Sequence, residues 1–285
     1  RPETLERLGI PTGIYASVNL TKDLPVEVLA EQTERRMRNM LLTGTTTIES
    51  KSGYGLTLPS EMKMLEVNRL LSAILPMDIV STFLGGHGWE EGKSKDWYID
   101  QLCEEMIPQV ASFRMAAFND VWVDEGHFTA ADAERILSCG REYNLIPSIH
   151  TDAYSDIGGS ALAAEMKMAN AGHLNYTPNE LLPQLRDAGV VGVLLPGTDF
   201  SVRHPHPANP RPMLNCGMTL ALASNCNPGN WMESMQVVLT LACRQHGFSP
   251  AEAFRAATYG GAKALTLTDR GVLDVGKVAD LLILD

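Results

Sequence analysis

Ile146-Pro147-Ser148-Ile149-His150-Thr151-Asp152 decides the fold. It is a short apolar run that stops abruptly at His, Thr and Asp, the pattern of a buried strand with polar residues at its C-terminal end. A loop through Ser155, Asp156, Gly158 and Gly159 and then an Ala- and Met-rich helical stretch follow. In a parallel α/β barrel the chemistry sits at that end of each strand, on the loops leading into the helices.

Working outward, the same unit recurs. Strands are expected at about 45–50, 78–84, 119–123, 146–150, 172–175, 190–195 and 218–223. Helices are expected at about 26–42, 60–75, 96–112, 129–143, 159–170, 178–188, 233–246 and 250–265. The first of these helices sets Val26, Leu29, Met37, Met40 and Leu41 near one face, and Gly44 closes it. Residues 1–25, with Pro2, Gly9, Pro11, Gly13 and Pro25, read as loop, and 271–285 as a turn and a final strand. Regular alternation implies a parallel sheet. Seven units are one short of a closed (β/α)₈ barrel, so the first strand is expected to precede Arg1. The competing architecture is a doubly wound open sheet, but no GxGxxG follows a strand.

Composition sets the bounds. The chain has 285 residues, 45% apolar and 20% charged, enough to bury a full core. A net charge of −11 argues against nucleic acid and anionic membranes as partners. Five cysteines without a CxxC pair suggest reduced thiols and a cytoplasmic protein. No apolar run reaches the roughly 18 residues of a membrane span, and no signal peptide is visible.

The polar strand ends are the candidate site. A single histidine there is more often structural than functional. His87, His150 and His173, each ending a different strand, together suggest a metal site, because imidazole is the commonest metal ligand. Tyr54 stands between two glycines at the end of the first strand. Asn225-Cys226-Asn227-Pro228-Gly229 ends the last strand and could equally be a plain turn. His204-Pro205-His206 has the HxH spacing of a metal pair but lies in a Pro-rich loop. Asp124 and Glu125, beside His127, could form the pocket floor or a solvated loop.

Lys51-Ser52-Gly53-Tyr54-Gly55-Leu56 followed by Glu61-Met62-Lys63-Met64-Leu65 resembles a block of the imidazolonepropionases, metal-dependent amidohydrolases of histidine degradation. Thr82-Phe83-Leu84-Gly85-Gly86-His87, Ile149-His150-Thr151-Asp152, His173-Leu174, Val193-Leu194-Leu195-Pro196-Gly197 and Asn227-Pro228-Gly229 resemble further blocks, in the same order. The closing Gly271-Val272-Leu273 … Gly276-Lys277-Val278-Ala279-Asp280-Leu281 resembles a tail shared by many amidohydrolases.

The resemblance implies an amidohydrolase-type (β/α)₈ barrel, here residues 1–270 without the first strand, with 271–285 belonging to a small β-sandwich. It implies a cytoplasmic homodimer and one divalent metal, zinc or iron. The implied reaction opens 4-imidazolone-5-propanoate to N-formimidoyl-L-glutamate. His150 and the position of Asn225 would hold the metal. His173 would polarise the carbonyl, and the position of Asn225 would also serve catalysis. Tyr54, His87, Asn227, Gly229 and Asn230 would contact the substrate.

This chain departs from the family pattern in three ways. The first-strand HxH and the propionate-binding arginine are absent. The last-strand Asp is Asn225. The glutamate three residues after the metal His is Ala153. An amide can offer oxygen to a metal but takes no proton from water. Two other readings therefore stay open: an impaired amidohydrolase kept as a binding module, and an amidohydrolase for another cyclic amide or amidine. Asp152 and Asp199 are the alternative carboxylates for a working base.

Overall fold

Strand order in space repeats strand order in the chain. The computed structural model describes residues 2–9 and 13–283. Its sheet contains β1 (Thr47–Lys51), β2 (Asp78–Gly86), β3 (Phe118–Val123), β4 (Ile146–Thr151), β5 (Asn170–His173), β6 (Val191–Leu194) and β7 (Leu220–Leu222). Each pairs in parallel with the next. The seven expected strands are all present, displaced by a few residues at most. The sheet curls into a (β/α) barrel with one strand's place open between β7 and β1. A cleft of about 2140 Å³ runs along that seam.

Local chemistry explains the elements. The helix Ala130–Glu142 opens with a capping box in which Thr129 and Asp132 satisfy each other's backbone N–H groups. Its Ala133, Ile136, Leu137 and Gly140 recur at helical spacing and are buried against β3 and β4. Burial of a side chain such as Leu137 contributes about 2 kcal/mol. Gly140 is required by closeness: a Cβ there would stand 2.5 Å from the Asn119 carboxamide. The main core is built from such residues, with Leu65, Phe83, Val121, Ile149 and Leu185 among them. No helix among the described residues is long and apolar enough to cross a membrane.

Three expectations are corrected. The loop expected over 1–25 contains helices Pro2–Arg7 and Gly13–Thr21. Its breakers punctuate helix ends: Pro2 is a first helical residue, where its missing N–H costs nothing, and Gly13 has φ +72° at an entry point. The Pro-rich region after β6 carries two unforeseen helices, Pro196–Ser201 and Pro210–Asn215, again with proline at the start. The final strand expected over 271–285 does not form within 271–283. A strand needs a ladder partner, and this segment is instead fastened by the Val278 N–H to the Asp269 carbonyl at 2.8 Å, by Lys277 Nζ to the Thr268 carbonyl at 2.8 Å, and by Leu282 against Gly44. Leu284 and Asp285 lie outside the described residues.

Candidate active site

Register brings the site together. Trp122 on β3 is level with His150 on β4, and Thr151 is level with His173 on β5. The C-terminal strand ends therefore share one rim. Tyr54, His87, Trp122, His150, His173 and Asn225 all line the cleft.

His150 stands beside a buried carboxylate. Its Nδ1 stands 3.0 Å from Asp120 Oδ2, off the line of a good hydrogen bond. A ring nitrogen that close to a carboxylate oxygen carries the proton, which leaves Nε2 with its lone pair. Asp120 is held in turn by Lys51 Nζ at 2.7 Å, and Lys51 reaches Glu49 at 2.6 Å. Thr82 donates its hydroxyl to the same Glu49 carboxylate. Glu49 and Lys51 are two residues apart on β1, hence on one face. Burial works to raise the Asp120 pKa, but His150 and Lys51 outweigh it, so the carboxyl titrates well below the usual range. Burial likewise works against the Lys51 charge, and Asp120 and Glu49 overcome it and raise its pKa.

His173 lies beside His150, ring centroids 5.5 Å apart. Burial, and then His150, depress its pKa to about 3, so it is neutral at pH 7. Its φ of +76° is unusual for a residue with a side chain and marks a position held by its surroundings. His87 is depressed to about 4, chiefly by burial. Its Nδ1 lies 2.9 Å from the Gly53 carbonyl, and its ring takes the edge of Tyr54 at 5.0 Å. Burial raises the Tyr54 phenol to about 12, which keeps it a hydrogen-bond donor.

At the far wall, Asn225 (φ +47°) donates from Nδ2 to Thr198 Oγ1 at 2.9 Å. Its carbonyl accepts from the carboxamides of Asn227 and Asn230. Asn227 Oδ1 accepts the Gly229 N–H at 2.8 Å. Asn230, expected to touch ligand, lines the cleft but spends its carboxamide on Ser224, Asn225, Thr198 and Ser201. Its observed part is to brace the loop.

The other candidates are structural. His204 Nε2 is bound to the Ala153 carbonyl and its Nδ1 accepts from the His206 N–H, so the HxH pair is closed off. Asp152 accepts from Thr151 and Thr177, and Asp199 from Asn175 and the Ala208 N–H. Neither carboxylate lines the cleft. Asp124 is neither pocket floor nor solvated: it latches two rim loops by accepting from Glu125 N–H, Ser155 and Tyr154 N–H.

Asp120, Lys51 and Glu49 were not singled out from the sequence as site residues. A usable signal existed, since Asp120 is a charged residue within the strand Phe118–Val123.

An anchored imidazole with a free Nε2 is how a metal-binding histidine is built. Asp120 Oδ1 and Trp122 Nε1 are buried beside it without partners among the described residues. Yet no three His, Cys, Asp or Glu side chains among the described residues are grouped to hold an ion. The residues present fit one ligand position of a metal centre and do not complete it.

The sequence pattern of the amidohydrolase family matches residues 126–285, so the chain is an amidohydrolase, and the curled parallel sheet with imidazoles at its C-terminal rim agrees with that class. Imidazolonepropionase from a Geobacillus species is 39% identical over 287 residues, covering 99% of this chain and 67% of the relative. The same enzyme from Syntrophobacter fumaroxidans is 42% identical, covering 99% and 68%. The chain belongs to the imidazolonepropionase family. It spans about two thirds of the length of the curated relatives it matches. Among solved structures, a triazine hydrolase variant superposes with a TM-score of 0.72 at 18% identity, covering 97% of this chain and 66% of that one. An adenosine deaminase from Xanthomonas campestris with bound zinc gives 0.70 at 17% identity, covering 98% and 65%. These two likenesses speak to the fold alone.

Proposed function

We propose that this chain forms the greater part of a homodimeric hydrolase that opens the cyclic C–N bond of 4-imidazolone-5-propanoate, giving N-formimidoyl-L-glutamate. One observation carries the reading: Tyr54, His87, His150, His173 and the Asn225–Gly229 loop, scattered over the sequence, line one cleft. A divalent ion, zinc or iron, would supply Lewis acidity at His150.

The protein's own groups then have distinct parts. His150 offers an Nε2 lone pair, its ring held by Asp120. His173, neutral at pH 7, donates a hydrogen bond to the ring carbonyl without carrying charge into the site. Tyr54 donates from its phenol, and His87, Asn227 and Gly229 complete the walls around a planar ring.

Asn225 favours a second reading, binding without turnover, because a carboxamide cannot take a proton from water. The test compares the full-length gene product with its Asn225→Asp variant for imidazolone propionate hydrolysis and bound metal. We expect low turnover with Asn225 and a gain of about 10²-fold on substitution, the scale of a restored general base. Full activity with Asn225 and no gain would refute this assignment of the base. Absence of both binding and turnover in either protein would refute the substrate.

A further inference from the structure

Glu61 has no exposure at all, yet it carries a carboxylate. It lies in the first turn of the helix Leu58–Ser72 and turns back onto the loop after β1. Its Oε2 accepts the Gly53 N–H at 2.8 Å, and its Oε1 accepts the N–H groups of Gly55 at 2.7 Å and Leu56 at 2.8 Å. Three backbone donors thus close on one side chain. Burial nonetheless pushes the carboxyl pKa up, against the pull of those bonds.

The loop it grips is strained. Gly53 has φ +111° and Leu56 has φ +54°. A Cβ on Gly55 would lie 2.5 Å from the Glu61 backbone nitrogen, so loop and helix start touch directly. Non-glycine residues with positive φ persist only where their surroundings over-determine them, and Glu61 is that surrounding for Leu56.

The consequence reaches His87. The Gly53 carbonyl, whose own peptide plane precedes the gripped Gly55 amide, faces His87 Nδ1 at 2.9 Å. A carbonyl only accepts, so Nδ1 holds the proton. The neutral ring then presents Nε2 as an acceptor at the cleft, beside Tyr54 at 5.0 Å.

We propose that Glu61 is a positioning residue that fixes the Tyr54 loop and, through the Gly53 carbonyl, selects the His87 tautomer able to accept a ring N–H from the substrate. The specificity follows: a cyclic amidine or amide with an N–H on that edge is favoured over an N-methylated analogue. This rests on the cleft being the imidazolone pocket described above, but the tautomer is measurable without substrate.

The experiment uses the full-length gene product with ¹⁵N-labelled histidine, comparing wild type and Glu61→Gln. The variant keeps the size of the side chain but has one acceptor oxygen for three amides. We expect His87 in the wild type as the Nδ1–H tautomer and a mixture of tautomers in the variant. We also expect KM for the imidazolone to rise about tenfold with kcat little changed, the loss of roughly one hydrogen bond in binding. A purely structural role for Glu61 would shift Tm but leave the tautomer and the KM–kcat split alone, and that result overturns the proposal. So does an Nε2–H tautomer in the wild type, which needs no variant. Should the Gln variant not fold, Glu61→Asp, too short to reach all three amides, takes the same measurements. A full-length protein that neither binds nor turns over the imidazolone, yet still shows the tautomer change, would sink the imidazolone reading and leave the role of Glu61 standing.

Discussion

Asp120 is a carboxylate with two duties, since His150 and Lys51 both lean on it. Removing one member of a buried charge pair leaves the other uncompensated. Lys51 keeps Glu49 in an Asp120→Asn variant, so the loss belongs at the lower end, about 3 kcal/mol in urea unfolding. The same change releases the His150 ring, and the affinity of the full-length protein for zinc, measured against a chromophoric chelator, is expected to fall about 10- to 100-fold. Unchanged affinity would mean that Asp120 does not orient His150. Residues of this kind were hard to find in the sequence. Each polar strand end announces itself by breaking an apolar run, and His87, His150 and His173 were found that way. Asp120 and Glu49 lie inside their strands and Lys51 closes β1, places where position alone does not separate a barrel-lining charge from a strand-end loop. Asn230 is the reverse case: the family resemblance implied a ligand contact, while its partners were out of reach of any sequence argument.

At the scale of elements, the helical segments after Pro250 hold β7 in place. The π-helical turn Ala256–Gly260 packs on that strand, and a Cβ on Gly260 would stand 2.0 Å from the Leu220 carbonyl oxygen. Gly260→Ala must therefore push the turn and β7 apart. Overpacking of this kind costs about 1–3 kcal/mol, and because Asn225 follows β7 the cleft wall should move with it. The expected outcome is a lower urea midpoint together with weaker imidazolone binding, whereas an unchanged midpoint would show that the turn yields freely. Helices with a sustained apolar stripe, such as Val26–Leu42 and Ala130–Glu142, were legible to within a residue or so. The short ones, Gly13–Thr21, Pro196–Ser201 and Pro210–Asn215, were not. They have fewer than three turns, too few for a period to emerge, and the prolines that start the latter two look from the sequence like prolines in loops.

Across the whole molecule, buried neutral histidines couple stability to pH. His87 and His173 titrate near 4 and 3, against 6.5 for a free imidazole. Below about pH 6.5 the unfolded chain takes up protons that the folded chain refuses. Stability is thus complete above that pH and declines as pH falls toward 4, by about 1.4 kcal/mol per pH unit for each histidine. Chelator-treated full-length protein should show a lower urea midpoint at pH 5 than at pH 7, and a higher one would contradict the buried neutral state. The barrel as a whole was legible because each strand–helix unit carries its own periodicity. The tail was not, since a strand at 271–285 depends on partners rather than on its own pattern.

The order of the strands has a further consequence, for synthesis. Each strand bonds to the one made just before it, from β1 to β7. On a ribosome, β2 meets β1 as soon as it emerges, and every later strand finds its template already in place. No strand waits with two bare edges for a distant mate, the situation that exposes growing chains to aggregation. Only across the open seam do the first-made and last-made of these strands, β1 and β7, face each other, and no ladder joins them there.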